Sequence, residues 1–545
     1  MKKFVILCAL CWGISLPGVR ACTSFLAGKN ATADGSTFIT YAADSHTLYG
    51  ALKFIPPAKY PKNSTMEIKE WDTNKTLGRI AQAEYTYKVI GNMNEHQLSI
   101  TESTWGGRPE LVDTTGIIDY GSLMFIALQR AKTAREAIAV MTDLVNKYGY
   151  YSSGESFSIA DPEEVWIMEM IGKGPQNHGA VWVAVRIPDD CIAAHANQAR
   201  IHKFPLDDKE NCLYSPDVIS FARERGYFNG LNKDFSFADA YAPLDFGALR
   251  GCEARVWSFY NRFNGSMGKY LSYLNGKSKE YLPLYIKPDR KLSVQDVKDA
   301  MRDHFEGTPF DMTQDVGAGP FKCPYRFRPM EFEVDSVTYI NERATATQQT
   351  GFTIVAQMRS WLPNAIGGVL WFGVDDTNTC IYVPLYACLN EVPECYSESN
   401  GSMYELSWTS AFWIHNWVAN MAYARYNQMI EDIRPVQKAI ESTFNEQQPV
   451  IEKVANDLYR NDPTAAVRFL NAYSVAQAQQ TTARWKKLGE FLLVKYLDGN
   501  RKKERGGRFL ENGYGLPASP DFPGYSEEYY RAIAKDAGDR LKVAF

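Results

Sequence analysis

The chain has 545 residues, of which 45% are hydrophobic and 13% aromatic. This composition is typical of a globular protein that can bury a large core, in one big domain with appendages or in two to three smaller ones. The formal net charge of −4 argues against a basic nucleic-acid-binding surface, so we expect no nucleic-acid partner.

The first 21 residues have the pattern of an export signal. Two lysines follow Met1, an apolar run extends over residues 4–19, and Val19 and Ala21 are small enough for the −3 and −1 positions of a signal-peptidase site. The pattern predicts cleavage before Cys22 and a bacterial product in the periplasm or outside the cell. Beyond it, no uninterrupted apolar run is long enough to cross a bilayer, so we expect no transmembrane segment in the mature chain.

Cys22 would become the first residue of the mature chain, and three interpretations of it stay open. As the N-terminal residue it would carry a thiol and a free α-amine, whose pKa of about 8 suits it to accept the thiol's proton. A lipid anchor is the second interpretation: Val19, Ala21 and Cys22 match three of the four lipobox positions, but the bulky cation Arg20 does not. The third is a structural cysteine near a chain terminus.

The mature chain would keep seven further cysteines. An exported protein can form disulfides, and the nearest pair in sequence is Cys388 with Cys395. If Cys22 is reserved for chemistry, the odd number leaves at least one other thiol unpaired or in an intermolecular bond. Outside the leader no C-x-x-C pair or H-E-x-x-H run occurs, so we expect no metal site.

The mature chain has two successive regions with different predicted secondary structure. From Cys22 to about Tyr386, short β-rich segments alternate with turn signals and with two clear helical patterns, at 122–149 and 293–305. From about Ser407 the pattern is helical, and Asp462-Pro463 is placed to begin a long helix. We therefore expect an α+β catalytic domain over residues 22–400 and a C-terminal helical section over 401–545 that packs on it.

Several blocks of the sequence resemble one family. They are "CTSFLAGKNATADGSTFITYAADSH" at 22–46, "GNMNEHQLSITEST" at 91–104, "VWVAVRIPDDCIAAHANQARI" at 181–201, "EARVW" at 253–257 and "SAFWIHNWVANMA" at 410–422. In this order and spacing they resemble the cysteine dipeptidase A family of the N-terminal-nucleophile hydrolases, which is related to bile-salt hydrolases and penicillin V acylases. The resemblance implies an αββα sandwich, two stacked antiparallel sheets flanked by helices, with Cys22 at the end of a central strand.

The resemblance also implies catalytic roles for residues besides Cys22. Asp44, on the strand that should pair with the Cys22 strand through a turn at Asp34-Gly35, would hold the α-amine of the nucleophile. Asn197 would donate its side-chain amide to the oxyanion of the tetrahedral intermediate. Arg255 would lie close to the thiol and favour the thiolate. Each of these residue types is otherwise common in turns or on surfaces.

Two substrate-binding residues complete the predicted site. A dipeptide carries a cationic α-amine, and charge complementarity suggests that Glu102 binds it at the blind end of the cleft. Relatives often have arginine-asparagine where this chain has Tyr41-Ala42, so the arginine expected near the thiol in the acylase branch is missing. The hydroxyl of Tyr41 could donate a hydrogen bond to the substrate instead.

These residues together predict an exported cysteine-type dipeptidase that acts through a thioester on Cys22 and needs no metal or organic cofactor. Its partners would be small peptides, and a homo-oligomer is compatible with the sequence. Two alternatives stay open: an amidase or acylase that acts on N-acyl amino acids or related amides, and a binding lipoprotein acylated on Cys22. An acylated amine could not serve as the base, so lipidation and the proposed mechanism exclude each other.

Overall fold

The computed structural model describes residues 22–543, so the predicted export signal at 1–21 lies outside the described residues. Most of the described strands belong to two large antiparallel sheets, one of seven strands and one of eight. In chain order these strands are β1 (Ser24–Ala27), β2 (Thr37–Asp44), β3 (Phe54–Ile55), β4 (Val89–Ile90), β5 (Met93–Asn94), β6 (Ser99–Trp105), β7 (Gly154–Ala160), β8 (Val165–Gly172), β9 (Ala180–Arg186), β10 (Ile192–His195), β11 (Cys212–Tyr214), β12 (Tyr285–Ile286), β13 (Thr350–Met358), β14 (Val369–Val374) and β15 (Val383–Tyr386).

The two sheets stack face to face. The first has the order β12-β10-β1-β2-β13-β14-β15, and the second has the order β11-β9-β8-β7-β6-β5-β4-β3. Their central strands are buried over their whole length, as in β2 and β8, because both faces of each sheet are covered. Strand β2 packs against β6 and β7 across the sandwich.

Helices cover the outer faces. In chain order the α-helices are α1 (Tyr120–Arg130), α2 (Ala134–Tyr148), α3 (Val218–Glu224), α4 (Phe237–Tyr241), α5 (Phe246–Ala248), α6 (Ala254–Phe263), α7 (Leu271–Leu274), α8 (Val294–Met301), α9 (Asn364–Gly367), α10 (Ala411–Ala424), α11 (Tyr426–Asn461), α12 (Pro463–Lys495) and α13 (Glu527–Ala537). Helices α1 and α2 lie on the second sheet, whereas α6, α8, α10 and α12 lie on the first. The predicted α+β sandwich with a C-terminal helical extension is confirmed.

Four two-stranded pairings among the described residues lie outside these sheets. They pair Ala58–Lys59 with Tyr85–Thr86, Thr65–Lys69 with Thr76–Ala81, Glu331–Val334 with Val337–Ile340, and Glu504–Arg505 with Arg508–Phe509. The hairpin of residues 65–81 matters for function, because its turn carries two residues of the candidate site.

The sequence predicted several local features correctly. The turn between β1 and β2 contains Gly35 with φ +88°, a conformation that glycine adopts at low cost. Asp462 caps α12 by accepting hydrogen bonds from the N–H groups of Thr464 and Ala465. The helical pattern at 122–149 forms two helices rather than one, because Thr133 caps a new helix at Ala134.

The C-terminal helices form a layer of their own. Helix α11 packs along α12, and α10 packs on both. None of the helices between residues 22 and 543 is long and apolar enough to span a membrane. The eight described cysteines all have free thiols, including Cys388 and Cys395. The domain boundary near residue 400 stays a prediction.

Candidate active site

Cys22 lies between the two sheets, immediately before β1. The backbone of the next residue, Thr23, pairs with Ala42 of β2, so the central hairpin fixes the position of this segment. The Cys22 thiol is buried, with its sulfur 3.7 Å from Tyr41 Oη on β2 and 3.5 Å from Glu102 Oε1 on β6. The Tyr41 hydroxyl also donates to Glu102, so each sheet contributes a polar group to the thiol's surroundings.

Burial and negative charge oppose ionisation of the Cys22 thiol. Desolvation raises its pKa well above the usual value, and the carboxylates of Glu102 and Asp44 raise it further. The Tyr41 hydroxyl lowers the pKa, but by less. The thiol is therefore protonated at neutral pH in this arrangement, and a nucleophilic role would require a base close to the sulfur.

Arg255 connects the nucleophile to the loop after β10. It lies on α6, and its Nη1 donates to the Cys22 carbonyl oxygen at 2.8 Å and to Thr23 Oγ1 at 2.7 Å. Its Nη2 donates to the Ala196 carbonyl oxygen and to Asn197 Oδ1. The guanidinium is buried, and its fork geometry lets it hold both segments at once. The sequence placed Arg255 close to the nucleophile, and its contacts are with the backbone beside the thiol.

Asn197 is held rigidly at the end of β10. Its backbone adopts φ +59°, a left-handed conformation that asparagine tolerates better than most residues. Its backbone N–H donates to Ser103 Oγ at 3.2 Å, and its Nδ2 donates to the Thr104 carbonyl oxygen at 2.6 Å. Since Arg255 binds the Oδ1 atom, the orientation of the side-chain amide is fixed.

Asp44 ends β2 and is fully buried. Its carboxylate forms an ion pair with Arg343 and accepts a hydrogen bond of 2.6 Å from Thr350 Oγ1. Desolvation raises the pKa of Asp44 in spite of Arg343, which lowers it. The sequence analysis did not identify Arg343. Nothing around it in the sequence distinguishes this buried arginine from a surface arginine.

The candidate pocket in front of the thiol is small and acidic. Its volume is about 100 Å³, and its wall includes the carboxylates of Asp44, Asp72 and Glu102. Glu102 lies beside the thiol and not at the far end of the cleft, where the sequence argument had placed it. Its Oε2 atom is buried and has no hydrogen-bond partner among the described residues. This pocket would attract a small cation.

Trp71 and Asp72 were also missed by the sequence analysis. They lie in the turn of the hairpin at 65–81 and close one side of the pocket. Trp71 stacks on Phe125 of α1 with ring centroids 5.0 Å apart. It also lies against Gly121, where an added Cβ would come within 2.5 Å of the indole. The exposed turn is thereby anchored on α1.

No histidine lines the described wall of the Cys22 pocket. His195 is buried between Ser103 Oγ and Ser158 Oγ, at 2.6 and 2.7 Å, and desolvation lowers its pKa to about 3. His46 contacts Arg328 instead. Within residues 22–543 there is no group of three or more His, Cys, Asp or Glu side chains that could hold a metal ion.

A buried cysteine between two antiparallel sheets, facing a small acidic pocket, fits a hydrolase of small substrates. Comparison with known proteins gives the class: the chain is a peptide hydrolase. It belongs to peptidase family C69, whose model matches residues 21–439.

Curated relatives cover most of the chain. A "Probable dipeptidase" of Latilactobacillus sakei is 28% identical over 77% of this chain and 85% of its own length. A "Probable dipeptidase" of Salmonella dublin is 27% identical over 71% of this chain and 85% of its own. "Dipeptidase A" of Lactobacillus helveticus is 25% identical over 74% of this chain and 82% of its own.

Proposed function

We propose that this chain is an exported cysteine-type dipeptidase that hydrolyses dipeptides through a thioester on Cys22. The observation that carries the proposal is the placement of the Cys22 thiol. It is buried just before β1 in the wall of an acidic pocket, with its sulfur 3.5 Å from Glu102 Oε1. The relatives described above, which are named dipeptidase or probable dipeptidase, support the substrate class.

Cleavage before Cys22 would supply the missing base. The new α-amine, with an ordinary pKa of about 8, can accept the thiol's proton. Its positive charge then offsets the two carboxylates that raise the thiol's pKa. Asp44, held in place by Arg343 and Thr350, would orient the amine. Until the amine is free, the thiol stays protonated and inactive.

The reaction would follow the usual two steps of acyl transfer. The Cys22 sulfur attacks the peptide carbonyl, the α-ammonium returns its proton to the departing amine, and the C–N bond breaks to leave a thioester. A water molecule, deprotonated by the same amine, then hydrolyses the thioester. Asn197 would help to stabilise the oxyanion, and Arg255 would position both Asn197 and the backbone of Cys22.

The dimensions and charge of the pocket favour a short substrate with a free amine. The pocket holds about 100 Å³ and its charged wall is acidic. A free α-ammonium group would pair with the Glu102 carboxylate, whose Oε2 atom has no partner among the described residues, whereas an N-acyl group would leave that buried carboxylate without a countercharge. This contrast favours a dipeptidase over the amidase alternative.

The first test is the N-terminus and mass of the protein purified from a native-type host, followed by assays on free and N-acetylated dipeptides. We expect a chain that begins at unmodified Cys22, cleaves free dipeptides and loses activity in Cys22→Ala and Cys22→Ser. Cys323→Ser is the matched control, because Cys323 lies outside the pocket. A lipid on Cys22, or full activity of Cys22→Ala, would refute the proposal.

A further inference from the structure

A second cavity adjoins the Cys22 pocket. Its volume is about 300 Å³ and its wall is mainly apolar and aromatic. Leu48 and Trp71 belong to the walls of both cavities, so a single layer of side chains separates them. Phe352 lines the second cavity and also contacts Tyr41 edge to face, with ring centroids 5.6 Å apart. The apolar cavity therefore lies directly beside the side chains that surround the thiol.

Lys53 provides a positive charge in the wall of this apolar cavity. It is half-buried, and its Nζ lies 5.1 Å from the centre of the Trp71 ring and 5.5 Å from that of Phe125. No described carboxylate lies within ion-pair distance of its Nζ. Glu398, which is exposed, lines the same cavity but does not pair with Lys53. The ammonium group is thus available to an anionic ligand.

The two cavities differ in their charged groups. The described wall of the Cys22 pocket has carboxylates, whereas the wall of the apolar cavity has the Lys53 ammonium group beside aromatic rings and, in addition, the exposed carboxylate of Glu398. A dipeptide has the complementary arrangement, with a cationic amine on the acyl side of the scissile bond and a carboxylate on the leaving residue. An apolar side chain on that residue would gain free energy by leaving water for the aromatic wall.

We propose that the leaving residue of the substrate binds in this apolar cavity, with its carboxylate on Lys53 and its side chain against Phe352 and Phe372. This assignment rests on the proposed dipeptidase function and adds a substrate class. The preferred substrates are dipeptides whose second residue is large and apolar or aromatic and has a free carboxylate. The first residue would bind in the smaller pocket and would be recognised mainly through its α-amine.

The test compares isomeric substrates. The mature protein is assayed on alanyl-phenylalanine, phenylalanyl-alanine and the C-terminal amide of alanyl-phenylalanine. We expect kcat/KM for alanyl-phenylalanine to exceed that for the reversed dipeptide about tenfold. Lys53→Met should lower kcat/KM for alanyl-phenylalanine about tenfold through KM, because a charge-assisted contact is lost. It should change kcat/KM for the amide less than about twofold.

Two further variants complete the experiment. Lys59→Met, at an exposed lysine outside both cavities, should behave as the wild type. Ala51→Leu fills part of the apolar cavity and leaves Lys53 in place. It should therefore lower kcat/KM for alanyl-phenylalanine and leave kcat/KM for alanyl-glycine unchanged. Equal losses on acid and amide in Lys53→Met, or a preference that follows the first residue, would overturn the assignment. Absence of any Cys22-dependent dipeptide cleavage would instead refute the proposed function.

Discussion

Arg255 Nη1 lies 2.8 Å from the carbonyl oxygen of Cys22, although the two residues are 233 positions apart in the chain. The same guanidinium binds Asn197 Oδ1 at 2.9 Å. One buried side chain therefore sets the distance between the candidate nucleophile and the candidate oxyanion donor. It acts by positioning, since its contacts here are with backbone and with other side chains of the site.

Arg255→Lys should lower kcat about 100-fold with little change in KM, because lysine keeps the charge but cannot span both segments. Buried acceptors left without a donor should also lower the free energy of unfolding by about 2 kcal/mol. Steady-state kinetics and urea unfolding measure the two effects. Arg262→Lys is the matched control on the same helix, where the arginine is partly exposed and pairs with Asp303. An unchanged kcat in Arg255→Lys would contradict the positioning role.

Glu102→Gln should raise KM about tenfold for free dipeptides and much less for N-blocked ones, because it removes a carboxylate that would pair with the substrate amine. Competition between a free dipeptide and its N-acetyl form gives the ratio directly. Glu163→Gln, at an exposed ion pair with Lys29, serves as the control. Equal effects on both substrates would mean that Glu102 does not bind the amine.

The same substitution should also change the thiol. The Glu102 carboxylate raises the pKa of Cys22, so removing its charge lowers that pKa and increases the thiolate fraction at neutral pH. Alkylation of Cys22 by iodoacetamide should therefore be faster in Glu102→Gln than in the wild type at pH 7. Slower alkylation would show that Glu102 stabilises the thiolate rather than opposing it.

A chain that keeps one extra residue before Cys22 should be about a thousandfold less active, because the base would be part of a peptide bond. In the mature form, kcat/KM should rise as the pH approaches about 8, because the α-amine of Cys22 loses its proton, and should fall at higher pH, because the substrate's own α-ammonium loses the charge that Glu102 would bind. A pH–rate profile of both forms tests this. Comparable activity of the extended chain would place the base elsewhere.

Asp375→Asn should make stability less dependent on pH. Burial raises the pKa of Asp375 to about 8, whereas an unfolded aspartate titrates at about 3.9. The folded state thus keeps the proton to higher pH, and the free energy of unfolding falls as pH rises through this window. We expect the variant to gain about 2 kcal/mol at pH 8.5 and little at pH 4, since asparagine also tolerates the φ of +62° found here.

Urea unfolding of Asp375→Asn and of the wild type at the two pH values provides the measurement. Asp143→Asn, at an exposed position of α2, is a suitable control. A stability gain of equal size at both pH values would show that the effect does not come from ionisation of Asp375.

The local parts of this structure were predictable from sequence. Turn chemistry at Asp34-Gly35 set the hairpin that brings Asp44 to the end of the strand beside Cys22, and the cap at Asp462 set the start of α12. Both depend on residues within a few positions of one another. Patterning likewise separated the sheet-rich part from the helical C-terminal part.

The surroundings of Asp44 and of the thiol were not predictable in the same way. The pairing of Asp44 with Arg343 joins residues 299 positions apart. The sequence around either residue contains no pattern that predicts the other as its partner. The position of Glu102 beside the thiol follows from how the two sheets stack, which no single segment encodes. Long-range charge pairs depend on the topology of the fold, so they cannot be predicted from the composition of the chain or from the spacing of its residues.

Gly121 affects the size of the pocket although it does not line it, because it lies against Trp71, which does. An added Cβ there would come within 2.5 Å of Trp71, so any larger residue would displace the indole from its place on α1. Because Trp71 borders both cavities, a displacement of the ring would change the space that each cavity offers to a ligand. The absence of a side chain at position 121 thus keeps the indole in its place on α1. A larger residue at this position would alter the range of accepted peptides without replacing any residue that lines the two cavities.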